Sequence, residues 1–321
     1  MRTLSGTPPG FYDVVVTLFD KATLAPVTLV DTASGQAVGP TAVIGQIEIA
    51  NPDTPPTFAP QYPVEYDFPA SGLRLLGYNQ DRAEATAGDS VLLTLFWECA
   101  DRALCEQFAL RLVDEAGAEV AAWSLPAVRE GLPPKGWPAH GHLRGQHVVQ
   151  LPAGLPSGVY RFYVENFPLG QIAVSAPERV FSKPQLALKL DAPFRATDGT
   201  VVATLVGLTD PPSPPCSLSP SSPCSLVLVW RAEAETATGY HVFVHLVDEA
   251  GNILAQSDGV PADWSRPTTG WQPGEYVTDM HTLSLPAELP AGPLMLHVGL
   301  YDPATDQRLQ TAGAEFVTIS Q

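Results

Sequence analysis

The sequence predicts an all-β protein built of tandem antiparallel β-sandwich modules, Ig-like or jelly-roll-like, and three observations support this class. The chain has 321 residues and 33 prolines, about twice the usual share, and proline interrupts long helices. Apolar and polar residues alternate in many short segments, which is the period of a half-buried strand. A domain-sized stretch of the sequence also occurs twice. Short strands joined by turns account for the first two features, and the repeated stretch indicates tandem modules.

Seven strand-like segments follow one another in the first full copy of the repeated stretch. They lie at residues 73–78, 91–98, 108–113, 118–123, 146–151, 159–166 and 171–174. Short strands separated by turn-forming residues are typical of a β-sandwich. In the second copy, alternation along "YHVFVHLVD" places Val242, Val244 and Leu246 on one face, which we expect to point into the core.

The phrase "DEAG" occurs at residues 114–117 and again at 248–251. Its glycine suits a tight hairpin turn that needs positive φ, and its aspartate can accept hydrogen bonds from the turn backbone. We interpret both copies as hairpin tips. A shared ligand contact is the alternative, and a calcium ion at these acidic turns stays open; we expect no other cofactor and no metal site.

The repeat defines the predicted domains. Asp114, Trp137 and His147 have counterparts 134 positions later, without a gap. The N-terminal run "PPGFYDVVVTLFDKATLAP" matches the run that begins at Pro290, and "VIGQIEIA" matches "PLGQIAVS". We therefore predict a partial module with only its C-terminal strands at residues 1–52, and full modules at 53–176 and 177–321. The chain is expected to be the C-terminal piece of a larger protein, or else to carry a strand-donating N-terminal arm.

The charge balance limits the partners. A formal net charge of −17 repels nucleic-acid backbones and anionic membrane surfaces, so we expect neither as a partner. The sequence contains no apolar run of 18 residues and no signal-peptide core, so direct membrane insertion is not predicted. A glycan or another surface protein remains as a possible partner.

The four cysteines occur as two local pairs. Pairing Cys99 with Cys105, and Cys216 with Cys224, keeps each bond within one module, although other connectivities and reduced cysteines stay open. The C-x-x-C spacing of structural zinc sites is absent. Local disulfides predict an oxidising, extracytoplasmic location.

The sequence offers no signature of catalysis. It has no G-x-S-x-G elbow, H-E-x-x-H helix, P-loop or G-x-G-x-x-G fingerprint, so we do not predict an enzyme. A glycoside hydrolase is the least favoured alternative, because its two carboxylates can come from distant positions and leave no local motif.

The histidines have mainly structural interpretations. His241 and His245 share one strand face and could ligate a metal with a third group, but Gln107 and Arg111 occupy the same positions in the first copy. We therefore expect both to face solvent. His147 and its counterpart His281 are in phase with apolar residues, which predicts hydrogen-bonded histidines at the edge of each core.

The tryptophans give the alternative function. Trp97 and Trp230 lie in apolar strands and are predicted core residues. Trp264 and Trp271 lie in the loop segments "PADWSRP" and "TGWQPGE", where they could stack on a sugar ring beside Glu275.

We take Trp264, Trp271, Glu275, Asp279 and His281 as the candidate ligand-binding residues. Carbohydrate binding requires that the two tryptophans and the surroundings of Glu275 are exposed and form a groove. If these side chains are buried instead, they cap the end of the sandwich.

Four motifs in the run from Gly239 to Leu309 carry a family resemblance. They are F-V-H-L-V-D-x-x-G at 243–251, P-T-x-x-W-x-P-G-E at 267–275, D-x-H-x-L-x-L-P at 279–286 and G-L-Y-D-P-x-T at 299–305. Together they resemble the repeated C-terminal β-sandwich module of Chloroflexota-type multi-spanning membrane glycosyltransferases, the mannosyltransferase-like class, and of related surface proteins. The first full copy departs from the pattern, since Gly145 stands in place of Asp279.

The resemblance implies an appendage without catalytic residues. In such glycosyltransferases catalysis belongs to the membrane-embedded part, to which nothing in this chain corresponds. We therefore expect a non-catalytic, extracytoplasmic or cell-surface protein of tandem β-sandwiches that acts as a spacer or interaction appendage. Carbohydrate binding through the loop tryptophans is the alternative.

Overall fold

The computed structural model describes residues 4–19, 27, 29–30, 32–33, 37–39, 41–50, 53–99, 107–129, 141–209, 224–286, 288–290 and 292–320. This part of the chain is built of β-strands, and its only helical element is a 3-10 turn at Thr268–Gly270. The prediction of an all-β fold with antiparallel sheets is confirmed. The chain divides into two compact units: unit 1 comprises Met1–Val16 and Ala42–Pro177, and unit 2 comprises Thr17–Thr41 and Glu178–Gln321.

The strands are numbered in chain order. Strands β1 to β4 are Gly10–Thr17, Leu29–Val30, Ala37–Gly39 and Thr41–Ile49. Strands β5 to β13 are Tyr62–Phe68, Leu73–Gln80, Glu84–Thr86, Ser90–Cys99, Gln107–Val113, Glu119–Pro126, His142–Gln150, Gly158–Val164 and Phe167–Ser175. Strands β14 to β22 are Leu188–Arg195, Val201–Leu208, Cys224–Ala232, His241–Val247, Ile253–Gly259, Tyr276–Leu283, Met295–Asp302, Gln307–Arg308 and Val317–Ser320.

Unit 1 is a sandwich of two sheets with strand orders β11-β8-β6-β5 and β10-β9-β12-β13-β7. All neighbours are antiparallel except β7, which pairs parallel with β13. Buried side chains of both sheets, among them Leu93, Leu110 and Phe162, form one core. Burial of apolar area of this kind is the main force that holds such sheets face to face.

Unit 2 repeats this order with β14-β15-β16-β19 and β18-β17-β20-β21, where β22 also pairs with β20 and no described strand corresponds to β7. Its buried core contains Trp230, Val244 and Leu296, and among the described residues it shares none with the core of unit 1. The sequence repeat is therefore a repeat of topology. Gly77 and Gly207 lie at matching bulges with φ of 155° and 148°, where a Cβ would come within 2.3 Å of neighbouring atoms.

The repeated turns have the predicted geometry. Gly117 and Gly251 have φ of 84° and 85°, and each donates its N–H to the carbonyl oxygen of the turn aspartate at 3.0 Å. The Oδ1 atoms of Asp114 and Asp248 each accept a backbone N–H at 2.8 Å. Both phrases are hairpin tips, between β9 and β10 and between β17 and β18.

The prediction for β17 is confirmed for the face that points into the core, but it is wrong for the solvent exposure of His245 on the opposite face. Val242, Val244 and Leu246 are buried in the core of unit 2, as expected. His245 does not face solvent: it is buried and contacts Asp258 through its Nε2 atom at 3.2 Å. Arg308 and the chain near Glu315 cover this outer face of β17. Alternation along a single strand shows which residues share a face, but it does not show whether another segment covers that face, so the prediction failed.

The described cysteines are buried at strand ends. Cys99 is the last residue of β8 and Cys224 the first of β16. Cys105 and Cys216 lie outside the described residues, so both pairings remain predictions.

Candidate functional site

The candidate residues all belong to unit 2, where they lie on or next to β19. Trp264 and Trp271 are in the loop between β18 and β19, Glu275 precedes β19, and Asp279 and His281 are within it. Only Trp264 is exposed, at 57%, while the other four are between 0% and 5% exposed. The exposed groove that carbohydrate binding requires of Trp271 and Glu275 is therefore not present. Instead, the buried residues form two separate polar networks.

Glu275 holds the first network, the Glu275 clamp, which consists of Arg179, Arg266 and Glu275. Each arginine forms an ion pair with one oxygen of the fully buried carboxylate. Oε2 also accepts the backbone N–H of Gln272 at 3.1 Å, and Arg179 donates to the carbonyl oxygen of Gly270 at 3.0 Å. Buried charges persist only when they are paired and hydrogen-bonded in this way. The clamp fastens the chain before β14 to the loop before β19.

Trp271 packs beneath this clamp. The 3-10 turn at Thr268–Gly270 directs its ring into the core of unit 2, where it is 1% exposed. Its Nε1 atom donates to the carbonyl oxygen of Arg266 at 2.9 Å, so the polar atom of the indole is satisfied. Trp271 is a packing residue that cannot reach a ligand.

Asp279 holds the second network, the Asp279 network, which also contains Trp230, Ala262 and His281. Its Oδ1 accepts the backbone N–H of Ala262 at 2.7 Å, and its Oδ2 accepts Trp230 Nε1–H at 3.2 Å. His281 Nε2 lies 2.9 Å from Oδ2, and its Nδ1 lies 3.0 Å from the Ser257 hydroxyl. The carboxylate oxygen thus pairs with Nε2, while Nδ1 and the Ser257 hydroxyl share a hydrogen bond in which the hydroxyl can donate or accept. Both ring nitrogens of His281 thus have hydrogen-bond partners, as predicted for a core-edge histidine.

Unit 1 lacks the central carboxylate of this network, because Gly145 occupies the place of Asp279. Trp97 Nε1 and His147 Nε2, the counterparts of the atoms that Asp279 bonds, are buried without a hydrogen-bond partner among the described residues. Burial lowers the pKa of His147 to about 4, although the nearby Ala127 carbonyl acts in the opposite direction. The imidazole of His147 is therefore neutral at physiological pH.

Trp264 is presented by an uncommon stretch of backbone. Ala262, Asp263 and Trp264 are three consecutive non-glycine residues with positive φ, at 55°, 52° and 65°. Such left-handed residues are rare in a row because the Cβ approaches its own carbonyl oxygen. The Ala262 N–H bond to Asp279 holds one end of the turn, and Trp264 N–H donates to the carbonyl oxygen of Val260 at 3.1 Å. The buried Asp279 network thus positions the exposed tryptophan.

The Trp264 ring lies at the edge of an aromatic surface that we call the Trp264 patch, formed by Trp264, His241 and Tyr301. His241 contacts both rings edge to face, with centroids at 5.4 Å from Trp264 and 5.5 Å from Tyr301. A Cβ on Gly259 would lie 3.2 Å from the indole, so this glycine allows the ring to lie close to the sheet. His241 and Tyr301 are directly opposite each other on β17 and β20.

The electrostatics of the Trp264 patch favour uncharged side chains. Burial raises the pKa of Tyr301 to about 12, with Asp258 and Asp306 adding to the effect. Burial lowers the pKa of His241, against the opposing influence of Asp258 and Asp302. A neutral phenol and a neutral imidazole beside an exposed indole can contact a polar ligand but do not form a charged site.

Sequence reasoning missed His241 and Tyr301 as neighbours of Trp264. Alternation placed His241 on the outer face of β17, but its contact with Tyr301 depends on the register between β17 and β20. In the described part of the chain, no group of three or more His, Cys, Asp or Glu side chains could hold a metal ion. Nor is any helix in the same residues long and apolar enough to cross a membrane.

Comparisons with known proteins do not place the chain in a family. No protein-family model matches it, and no curated protein is similar to it. One similar solved structure is trypsin-activated alpha-2-macroglobulin from Escherichia coli, at 12% identity, with 97% of this chain and 21% of that chain covered and a TM-score of 0.23. This chain thus spans about a fifth of that protein.

Two bacterial domains show similarly weak likeness. Collagen adhesin from S. aureus is 7% identical, with 78% of this chain and 92% of that chain covered and a TM-score of 0.22. The C-terminal domain of the Streptococcus agalactiae AgI/II polypeptide BspA is 8% identical, with 74% and 92% covered and a TM-score of 0.16. Scores of this size say nothing about what the present chain does.

Proposed function

We propose that this chain is a non-catalytic tandem β-sandwich protein that acts as an extracytoplasmic spacer or interaction appendage. The observation that carries the proposal is the burial of the conspicuous polar residues of unit 2. Glu275, Asp279 and His281 are at most 5% exposed, and their hydrogen-bonding atoms are used within the unit. Side chains engaged in this way stabilise a module and are not free to bind or transform a substrate.

The four motifs of the family resemblance coincide with fold-determining features. The segment 243–251 is most of β17 with its hairpin tip, and 267–275 contains the 3-10 turn and Glu275. The segment 279–286 carries the Asp279 network. At 299–305, Asp302 caps the turn after β20, accepting the Ala304 N–H and the Thr305 hydroxyl at 2.9 Å each. These roles support the idea that the pattern specifies a module, as expected of a glycosyltransferase-associated appendage.

Glycan binding by the full chain tests this proposal. We expect isothermal titration with a panel of bacterial cell-wall and capsular oligosaccharides to give no saturable heat, because the buried candidates cannot contact a sugar. Saturable binding to any member of the panel would contradict the spacer function and favour the second candidate below.

The second candidate function is carbohydrate contact at the Trp264 patch. Its support is specific: the Trp264 indole is 57% exposed and lies next to His241 and Tyr301. An exposed indole offers a flat apolar surface of the kind that stacks on sugar rings. In this case binding would be lost in Trp264→Ala and kept in Phe181→Ala, which removes another exposed aromatic ring of unit 2.

The extracytoplasmic location rests on the cysteine pairs and has its own test. Peptide mapping of the non-reduced protein by mass spectrometry is expected to find Cys99 linked to Cys105 and Cys216 linked to Cys224. Free thiols at all four positions in protein secreted to an oxidising compartment would remove this support.

A further inference from the structure

One face of the Trp264 indole is open to a ligand. A Cβ on Gly259 would lie 3.2 Å from each of the Nε1, Cε2 and Cζ2 atoms of this ring. Three adjacent ring atoms can be equally far from one point only when that point lies above the ring, so one face of the indole covers the sheet. The opposite face and the outer edge therefore account for the 57% exposure of Trp264.

Aspartates lie beside the Trp264 patch. Asp258 is close enough to interact electrostatically with both His241 and Tyr301. Asp302 interacts in the same way with His241. Asp306 does so with Tyr301. We call these three aspartates the acidic border of the patch.

The other charges nearby leave the acidic border with a surplus of negative charge. Asp263 is exposed and directly precedes Trp264, so it adds a further carboxylate. The cation Arg308 lies on the same side of the sheet, with its guanidinium 4.6 Å from the centre of the Phe243 ring. Its charge is countered by Glu315, whose carboxylate is 3.6 Å away. The whole chain has a formal net charge of −17, which acts in the same direction.

An aromatic face beside surplus negative charge attracts a cation. The electron-rich face of an indole is the strongest aromatic partner of a cation, and carboxylates add Coulomb attraction. Arginine suits both features, because its guanidinium is planar, weakly hydrated, and able to stack on a ring while its N–H groups bond carboxylates. The stacking of Arg308 on Phe243 shows the same chemistry within this sheet.

We propose that the Trp264 patch and its acidic border bind an arginine side chain of a partner polypeptide. The guanidinium stacks on the open face of the indole and donates hydrogen bonds to the carboxylates beside it. The bond from the Ala262 N–H to Asp279 holds the turn that carries Trp264, so the surface is formed before the partner arrives. This inference rests on the proposed interaction function, and it names the surface and the kind of partner.

Nuclear magnetic resonance of the isotope-labelled full chain tests the proposal. The probe is the peptide acetyl-Gly-Arg-Gly-amide, and the matched control peptide carries citrulline, an uncharged analogue of arginine with nearly the same shape. We expect the arginine peptide to shift the indole N–H signal of Trp264 saturably; Trp264→Phe assigns this signal by its loss. The citrulline peptide should bind about tenfold more weakly, because it lacks the positive charge.

Two variants distinguish the acidic border from the overall charge of the chain. Asp306→Asn removes one carboxylate of the border and should weaken binding of the arginine peptide by about threefold. Glu249→Gln removes the same charge from the exposed hairpin tip, at the other end of β17 and β18, and should leave the affinity unchanged.

The outcomes separate this inference from the proposed function. Equal affinity for the citrulline peptide would overturn the inference, as would equal losses in Asp306→Asn and Glu249→Gln. An oligomer in sedimentation that the arginine peptide dissociates would overturn the separate partner, because a second copy would then supply the arginine. These three results leave the appendage function standing. Saturable glycan binding by the full chain would instead contradict the proposed function, whatever the affinity for the peptide.

Discussion

At the scale of single residues, the polar interiors of the two units differ because unit 1 has Gly145 at the position of Asp279 in unit 2. Asp279 joins the indole of Trp230 to the imidazole of His281, and unit 1 has the same two ring systems without the carboxylate. The Ala127 carbonyl oxygen occupies the space that a side chain at position 145 would need, since a Cβ on Gly145 would lie only 2.3 Å from it. The glycine has therefore been accommodated by the backbone around it.

Restoring the aspartate in unit 1 is expected to destabilise it. Gly145→Asp forces the Ala127 carbonyl away from the strand, and overpacking of this kind costs about 2 kcal/mol of unfolding free energy. Urea unfolding followed by exchange of the β8 and β11 amides measures the effect. Gly158→Asp is the control, since the nearest atom to its Cβ lies at 3.7 Å. A stabilised Gly145→Asp variant would show that the network forms again without strain.

His147 makes unit 1 sensitive to mild acid. Its folded-state pKa of about 4 lies below the ordinary value of 6.5, so the unfolded chain takes up the proton first. The stability contributed by neutral His147 is complete above pH 6.5 and is lost progressively as the pH falls to about 4, by about 3 kcal/mol in total.

The non-titrating variant His147→Gln isolates this contribution. We expect the urea midpoint of the natural chain to fall more steeply than that of the variant between pH 6.5 and 4. Parallel pH profiles of the two proteins would show that His147 does not become charged on unfolding.

At the scale of elements, the loop between β18 and β19 depends on partners from outside it. Arg179 lies 96 positions before Glu275 in the chain, and it reaches both the Glu275 carboxylate and the Gly270 carbonyl. The left-handed turn that exposes Trp264 is fixed at its other end by Asp279. One loop thus combines two buried anchors with an exposed tip.

Removing the charge of Glu275 should release this loop. Glu275→Gln leaves two arginines facing a neutral amide, and loss of one member of a buried ion group costs about 3 kcal/mol or more. We expect faster amide exchange from residue 266 to 276 and a lower thermal midpoint of unit 2. Glu315→Gln, which removes an exposed partner of Arg308, should change neither. Equal effects of the two variants would contradict a special role of the clamp.

At the scale of the whole molecule, the two units have separate cores. In the described part of the chain, no buried residue belongs to both clusters, and each unit has its own pair of sheets. Stability changes at sites that share no partner are expected to be largely independent.

A substitution in the core of one unit should therefore leave the other folded. Asp279→Ala leaves the Trp230 indole, the His281 imidazole and the Ala262 N–H without their acceptor, which should cost unit 2 about 3 kcal/mol or more. Hydrogen exchange is expected to accelerate in β16 and β19 and to stay unchanged in β6 and β8. Equal acceleration in both units would show that they unfold as one.

The sequence alone determined the class of fold, the strand pattern and the repeat. Val244, Leu246 and Trp230 could be assigned to the core because alternation and apolar character are local properties of a strand. The hairpin tips at Asp114 and Asp248 were predictable for the same reason, since the turn residues bond within four positions of one another.

Only the tertiary structure decided which candidate residues can reach a ligand. Glu275 is buried between Arg179 and Arg266, which belong to separate segments of the chain, and Trp271 is buried next to it. A local sequence pattern does not predict contacts between separate segments. The partners of His241 likewise depend on which strands become neighbours. Burial and strand pairing are properties of the assembled sheets. The sequence was therefore sufficient to identify these residues as candidates but not to predict whether they are exposed.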